Sequence, residues 1–103
     1  MEINNINDIK KAALPILRKY GINRAEVTGS YARGNFTGTS DIDIIVDVPP
    51  NMSLLTFAGL KVELEEKLGK KVDLLERSAI KQHLRKYILK DTTPIIWWVN
   101  PAT

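Results

Sequence analysis

Residues 29–48 read Gly29-Ser30-Tyr31-Ala32-Arg33-Gly34-Asn35-Phe36-Thr37-Gly38-Thr39-Ser40-Asp41-Ile42-Asp43-Ile44-Ile45-Val46-Asp47-Val48, and this stretch decides the fold. From Asp41 to Val48 the pattern alternates. Side chains along a strand point to opposite faces, so Ile42, Ile44, Val46 and Val48 fall on one face and Asp41, Asp43, Ile45 and Asp47 on the other. Pro49-Pro50 ends the strand, because neither proline donates to a ladder. Asn35 to Ser40 is rich in Gly, Thr, Asn and Ser and reads as a loop.

Asp41 and Asp43 stand two apart, which puts them on one face at roughly 6.5–7 Å along the strand. That spacing lets two carboxylates converge on a hard cation such as Mg²⁺, which takes one or two carboxylates together with phosphate oxygens. An isolated Asp-x-Asp also arises on an amphipathic edge strand with its acidic side in water. Three features favour a site: Asp is depleted in strands, neighbouring carboxylates repel, and the pair follows a glycine-rich loop. In that loop Gly29 permits a sharp turn and the close approach of a phosphate, while Ser30 adds a hydroxyl donor. A Gly-Ser pair alone is merely a turn. Arg33 offers a fork of donors that suits either a phosphate or the pinning of the loop.

Working outward, Asn7 to Tyr20 has helical spacing, with Ile9, Ala13, Ile16, Leu17 and Tyr20 on one side. Asn7 or Asp8 is its expected cap, Pro15 an interior interruption and Gly21 its stop. A strand is expected over Arg24 to Thr28. Met52 or Ser53 to Leu68 reads as a helix with Leu54, Phe57, Leu60, Leu64 and Leu68 inward, closed by Gly69. Lys71 to Glu76 reads as a third strand. There Asp73, flanked by Val72 and Leu74, faces away from the core and can join Asp41 and Asp43 if the strands are neighbours. Ser78 is the expected cap of a last helix with Ile80, Leu84, Tyr87 and Ile88 inward. Pro94 to Val99 reads as an end strand, on which Trp97 and Trp98 point to opposite faces. Tyr31 and Phe36 are expected to pack around the loop, and His83 to face solvent. The order predicts an α/β (α+β) layer, a small sheet flanked by helices, with strand order open.

The 103 residues fit a single domain, 1–103, of a size that buries about two thirds of the surface its unfolded chain exposes. No residues are left over for a substrate domain, so the acceptor is expected on another chain. There is no cysteine, which excludes disulfides and thiolate chemistry. No apolar run approaches the roughly 18 residues of a membrane span, and Met1 to Lys11 lacks the apolar stretch of a signal peptide. A cytoplasmic protein without membrane contact is expected. Net charge is +3, with acids around Asp41 to Asp47 and bases at Lys81, Arg85, Lys86 and Lys90. The basic stretch fits a solvated helix face, an acidic partner or nucleic acid.

The segment Gly29-Ser30-Tyr31-Ala32-Arg33-Gly34, followed after ten intervening residues from Ser30 by Asp41-Ile42-Asp43, resembles the signature of the DNA-polymerase-β-like nucleotidyltransferase superfamily. It is most similar to the minimal nucleotidyltransferases of the antitoxin (MntA) type. The resemblance runs from about Ile9 to Trp97 and includes Asp73 where that family carries its third carboxylate. It implies a mixed palm-like sheet and ATP as donor of a nucleoside monophosphate. It further implies Mg²⁺, two ions during catalysis, held by Asp41, Asp43 and Asp73, with Gly29 and Ser30 on the triphosphate; Arg33 stays a nucleotide-binding candidate beside its loop-pinning reading. Such proteins often pair with a helical HEPN-family toxin and silence it by transferring AMP to a tyrosine, so protein rather than nucleic acid is the implied partner. The alternative is a non-catalytic antitoxin that masks its partner and keeps a vestigial metal site. Thr28 departs from the family, where a larger apolar residue is commoner, and no effect on the chemistry is expected from it.

Overall fold

The computed structural model describes residues 3–97. Helix α1 spans Ile6–Lys19, strand β1 Arg24–Thr28, the short helix α2 Gly29–Arg33 and strand β2 Ile42–Val46. Helix α3 (Leu54–Leu68), strand β3 (Val72–Glu76), a 3-10 turn (Arg77–Ala79), helix α4 (Gln82–Ile88) and strand β4 (Thr93–Trp97) follow. The strands form one mixed sheet in the order β3-β2-β1-β4. β1 runs antiparallel to both β2 and β4, whereas β2 and β3 are parallel. A parallel pair needs a long crossover, and α3 supplies it.

One face of the sheet is covered by α1 and α3. Ile9, Ala12, Ala13 and Leu17 of α1 and Leu60, Leu64 and Leu68 of α3 meet Ala25, Val27, Ile42, Ile44, Val46 and Val72, all buried. Full burial of each large aliphatic side chain contributes about 1.5–3 kcal/mol, so these two stripes supply most of the cohesion. Among the described residues no helix is long and apolar enough to cross a membrane.

Several local expectations change. Asn5 caps α1, not Asn7 or Asp8: its Oδ1 accepts the Asp8 N–H at 3.0 Å, and Asp8 reaches back to accept the Asn4 N–H at 2.9 Å. That reciprocal pair satisfies two free donors and starts the helix earlier. Pro15 stays inside α1 on its exposed side, where the bond it cannot make is lost to water. Ser53 caps α3 by accepting from the Thr56 N–H at 3.1 Å. Leu54, expected inward, is 85% exposed, because the sheet does not extend beneath the first turn of α3. Ser78 does not cap the last helix: it lies in the 3-10 turn, its Oγ donates to Glu76 Oε1 at 3.0 Å, and α4 starts beyond Lys81. Leu84 and Tyr87, also expected inward, are exposed, while Ile80 is buried. The register carries β4 to Trp97, and the expectation for the Trp97 and Trp98 side chains lies outside the described residues.

Candidate active site

The second face of the sheet carries the acids. Thr28 pairs with Asp43 across the antiparallel ladder, and Asp43 pairs with Asp73 across the parallel one. Three segments far apart in sequence therefore end in line on one face. One residue pair further along, Glu26 faces Ile45, and Ile45 faces Leu75. Ile45 was expected on the open acidic face; it does lie on that face but is fully buried. The cover comes from the chain after β3. Arg77 Nε donates to Asp47 Oδ1 at 2.7 Å, Arg77 Nη2 donates to the buried Glu26 Oε1, and Arg24 Nε reaches the same oxygen at 3.2 Å. Thr28 Oγ1 lies 2.8 Å from the Ile88 carbonyl and 3.2 Å from that of Asp91. Thus the 3-10 turn is tied across the lower part of this face and the end of α4 over Thr28 on the β1 side, while Asp43 and Asp73 stay half-buried.

Beyond Thr28 the chain turns sharply. Gly29 has φ +73°, a region that L side chains rarely adopt. A Cβ there would collide with Asp43 Oδ2 and stand 3.2 Å from Asp43 Cγ. Both the turn and the close approach of the carboxylate require glycine. The five-residue helix that begins at Gly29 carries Ser30 in its first turn and Arg33 in its last. Behind it Tyr31 is buried and stacks on Phe36, ring centroids 4.3 Å apart and 10° from parallel, so these rings brace the loop as expected.

Asp43 and Asp73 are direct partners across the parallel ladder, so their carboxyls project side by side from one face. Burial, then the hydrogen bond and charge of Asp73, then the charge of Asp41, push the Asp43 carboxyl up to about 6 from its ordinary 3.8; the Arg33 guanidinium pulls the other way. Arg33 is exposed and forms no hydrogen bond or ion pair among the described residues, so the loop-pinning role has no partner there. Asp41 stands just before the ladder begins at Ile42, whose N–H donates to the Lys71 carbonyl at 3.0 Å. It acts on Asp43 through its charge rather than through a contact. Among the described residues no three acidic or imidazole groups are gathered tightly enough to enclose a metal alone.

The residues nonetheless fit a divalent cation. Two carboxyls side by side in the register and a third acid just before the ladder, against the single guanidinium of Arg33, form a hard oxygen donor set with an excess of negative charge. Magnesium commonly takes one or two carboxylates and completes its shell with water and phosphate. His83, the single histidine of the sequence, is exposed on α4.

Sequence reading missed two contributors. Thr28, set aside as a neutral departure, anchors the end of α4 against the strand that carries the loop. Glu26 gave a usable signal: an acid two residues from Thr28 on the face beside Ile45 needs a cation, and it finds two, Arg77 and the more exposed Arg24.

The chain matches the nucleotidyltransferase domain family over residues 9–96. A candidate protein adenylyltransferase of Methanocaldococcus jannaschii is 47% identical over 92 residues, 89% of this chain and 99% of the relative. Protein adenylyltransferase MntA of Thermococcus cleftensis is 37% identical over 92 residues, 88% of this chain and 93% of the relative. Among solved structures, a candidate minimal nucleotidyltransferase is similar at a TM-score of 0.77 and 32% identity, covering 91% of this chain and 96% of that one. The complex of a tri-AMPylated Shewanella oneidensis HEPN toxin with its MNT antitoxin shares the fold at a TM-score of 0.68 and 19% identity, covering 88% of this chain and 71% of that one.

Proposed function

Because the chain belongs to the nucleotidyltransferase domain family, we propose that it transfers AMP from ATP to a hydroxyl of a protein partner, a tyrosine of a HEPN-type toxin, and so acts as an antitoxin. The observation that carries this reading is the line Thr28–Asp43–Asp73, which sets the Gly29-Ser30 loop directly on a pair of carboxyls. A loop shaped for phosphate thereby faces groups that hold a cation and accept a proton. The names of the two adenylyltransferase relatives support a protein acceptor, and the AMPylated toxin held by the Shewanella antitoxin supports the class of partner.

In this reading Gly29 lets the triphosphate approach the backbone, and the Ser30 hydroxyl donates to a phosphate oxygen. Arg33, exposed at the end of α2, adds positive charge on the same side. Asp41 and Asp43 would hold Mg²⁺, with Asp73 joining them on the acceptor side. When bound, that ion neutralises charge on the triphosphate and lowers the pKa of the attacking hydroxyl. The acceptor oxygen forms a bond to the α-phosphorus as the bond from that phosphorus to the bridging oxygen of the β-phosphate breaks. Pyrophosphate leaves with that oxygen, and the hydroxyl proton passes to a carboxylate oxygen of Asp73. Asp73 is the register partner of Asp43, which puts its carboxylate on the same face as the residues that would hold the ion.

The reading is tested by incubating the intact chain and a protein acceptor with ATP labelled at the α- or the γ-phosphorus, with Mg²⁺ or with a chelator. Label from the α-position alone should enter the acceptor, pyrophosphate should appear in equal amount, and the chelator should stop both. Label entering from the γ-position would make the chain a kinase and end this reading.

A further inference from the structure

The helical stripe of α3 continues past its cover. Leu60, Leu64 and Leu68 are buried against the sheet, Phe57 is half-buried, and Leu54 stands 85% exposed. Across from it, Leu84 of α4 is 41% exposed and Leu75 of β3 is 38% exposed. Between these elements runs a groove of about 760 Å³ along the free edge of β3, which is the outermost strand of the sheet. Its walls are apolar and come from two helices, Leu54 and Phe57 on one side and Leu84 and Ile88 on the other. A monomer rarely leaves so continuous an apolar surface in water, and helix-walled grooves of this kind commonly accept an amphipathic helix.

Charge and position narrow the occupant. Lys81 lines the groove, and Arg85, one helical turn later at its border, is exposed and donates one guanidinium N–H to the Ile80 carbonyl at 3.2 Å, with its charge and remaining donors left over. Lys86 and Lys90 add to the same field, and no acid interrupts the sequence from Arg77 to Lys90. The one carboxylate on the groove, Glu76, accepts the Ser78 hydroxyl and keeps its charge, so the cationic excess comes from Lys81 together with the other bases of α4. Leu75 of the groove lies two residues beyond Asp73 on the same side of β3, roughly 6.5–7 Å along the strand. A partner seated there is led toward Asp73.

We infer that this groove docks an acidic amphipathic helix of the protein that the enzyme modifies, with leucine-like side chains between Leu54 and Leu84 and carboxylates against Lys81 and Arg85. The inference rests on the transferase reading only for what the docked protein is used for. The surface itself follows from exposure and charge.

The test therefore reads binding, not transfer. A fluorescent eighteen-residue helical peptide of leucine and glutamate in amphipathic order is titrated with the intact chain by anisotropy, beside a leucine–lysine version and a scrambled leucine–glutamate version. Leu54→Asp and Lys81→Glu, both at exposed positions outside the carboxyl site, are measured in parallel after their melting temperatures are checked. The ordered acidic peptide should bind at least tenfold tighter than either control and weaken with added salt. Each substitution should weaken it about tenfold while leaving ATP affinity within twofold. Equal binding of the three peptides, or variants that bind like the wild type, would overturn the inference. So would sedimentation showing a dimer that Leu54→Asp dissociates, because the occupant would then be a second copy. In each of these outcomes ATP binding and AMP transfer by the wild type stand apart, so the groove and the reaction fail separately.

Discussion

Gly29 and Asp43 form a single device: the glycine's positive φ turns the chain, and its missing Cβ admits the carboxylate. Gly29→Ala should destabilise the fold by about 1–2 kcal/mol from backbone strain alone. It should also lower nucleotide affinity more than that loss explains, because Asp43 must move; chemical denaturation and calorimetric ATP titration give the two effects separately. Asp43 has a second consequence. Its carboxyl takes up a proton near pH 6 in the fold but near the ordinary 3.8 when unfolded. Below about pH 4 both states carry the proton and no cost arises. Between roughly pH 4 and 6 the folded state binds more protons, so stability falls as pH rises, and the full cost persists above that window. In the metal-free chain Asp43→Asn should flatten this fall and stabilise the fold at pH 7. The gain should be about 1 kcal/mol, since solvent screens a half-buried group. Denaturation midpoints at pH 4.5 and 7 check it, and a variant that loses stability at pH 7 would show that the charge is well accommodated.

At the scale of elements, the strands and the two long helices were legible because their patterns are strong. Asp41 to Val48 alternates over its whole length, and Leu60, Leu64 and Leu68 repeat at helical spacing onto a sheet that is there to cover them. Leu54 continues the same repeat, yet periodicity does not say where the sheet ends. The chain after β3 misled for a related reason. Ser78 has the chemistry of a cap, but Arg77 is pulled inward by Glu26 and Asp47, and the segment tightens into a 3-10 turn before α4 starts. That pull is testable. Arg77→Met keeps the bulk and removes the charge, leaving buried Glu26 with only the half-exposed Arg24. Loss of one partner from a buried pair costs about 3–5 kcal/mol. A lowered denaturation midpoint is expected, and Glu26→Gln in the same chain should restore part of it. A fully stable Arg77→Met would mean that Arg24 satisfies Glu26 alone.

For the molecule as a whole, the site exists through register. Residues 28, 43 and 73 become neighbours only when β1, β2 and β3 pair in this order, and strand order is not encoded in any local pattern. The sequence could therefore name Asp41, Asp43 and Asp73 but not show that Asp43 and Asp73 are register partners while Asp41 stands just before the ladder. The glycine-rich loop was readable by composition, and its exact contact with Asp43 was not. The proposed transferase centre rests on the Gly29-Ser30 loop and the carboxyl pair. The most direct test compares wild type with Asp43→Asn, both shown folded by circular dichroism and melting, for transfer of α-labelled AMP to a protein acceptor with saturating Mg²⁺ and ATP. Wild type should label the acceptor, and the variant should fall by at least about 10²-fold, as expected when electrostatic stabilisation of a transition state is removed. A folded Asp43→Asn chain that labels its acceptor at the wild-type rate would contradict the account.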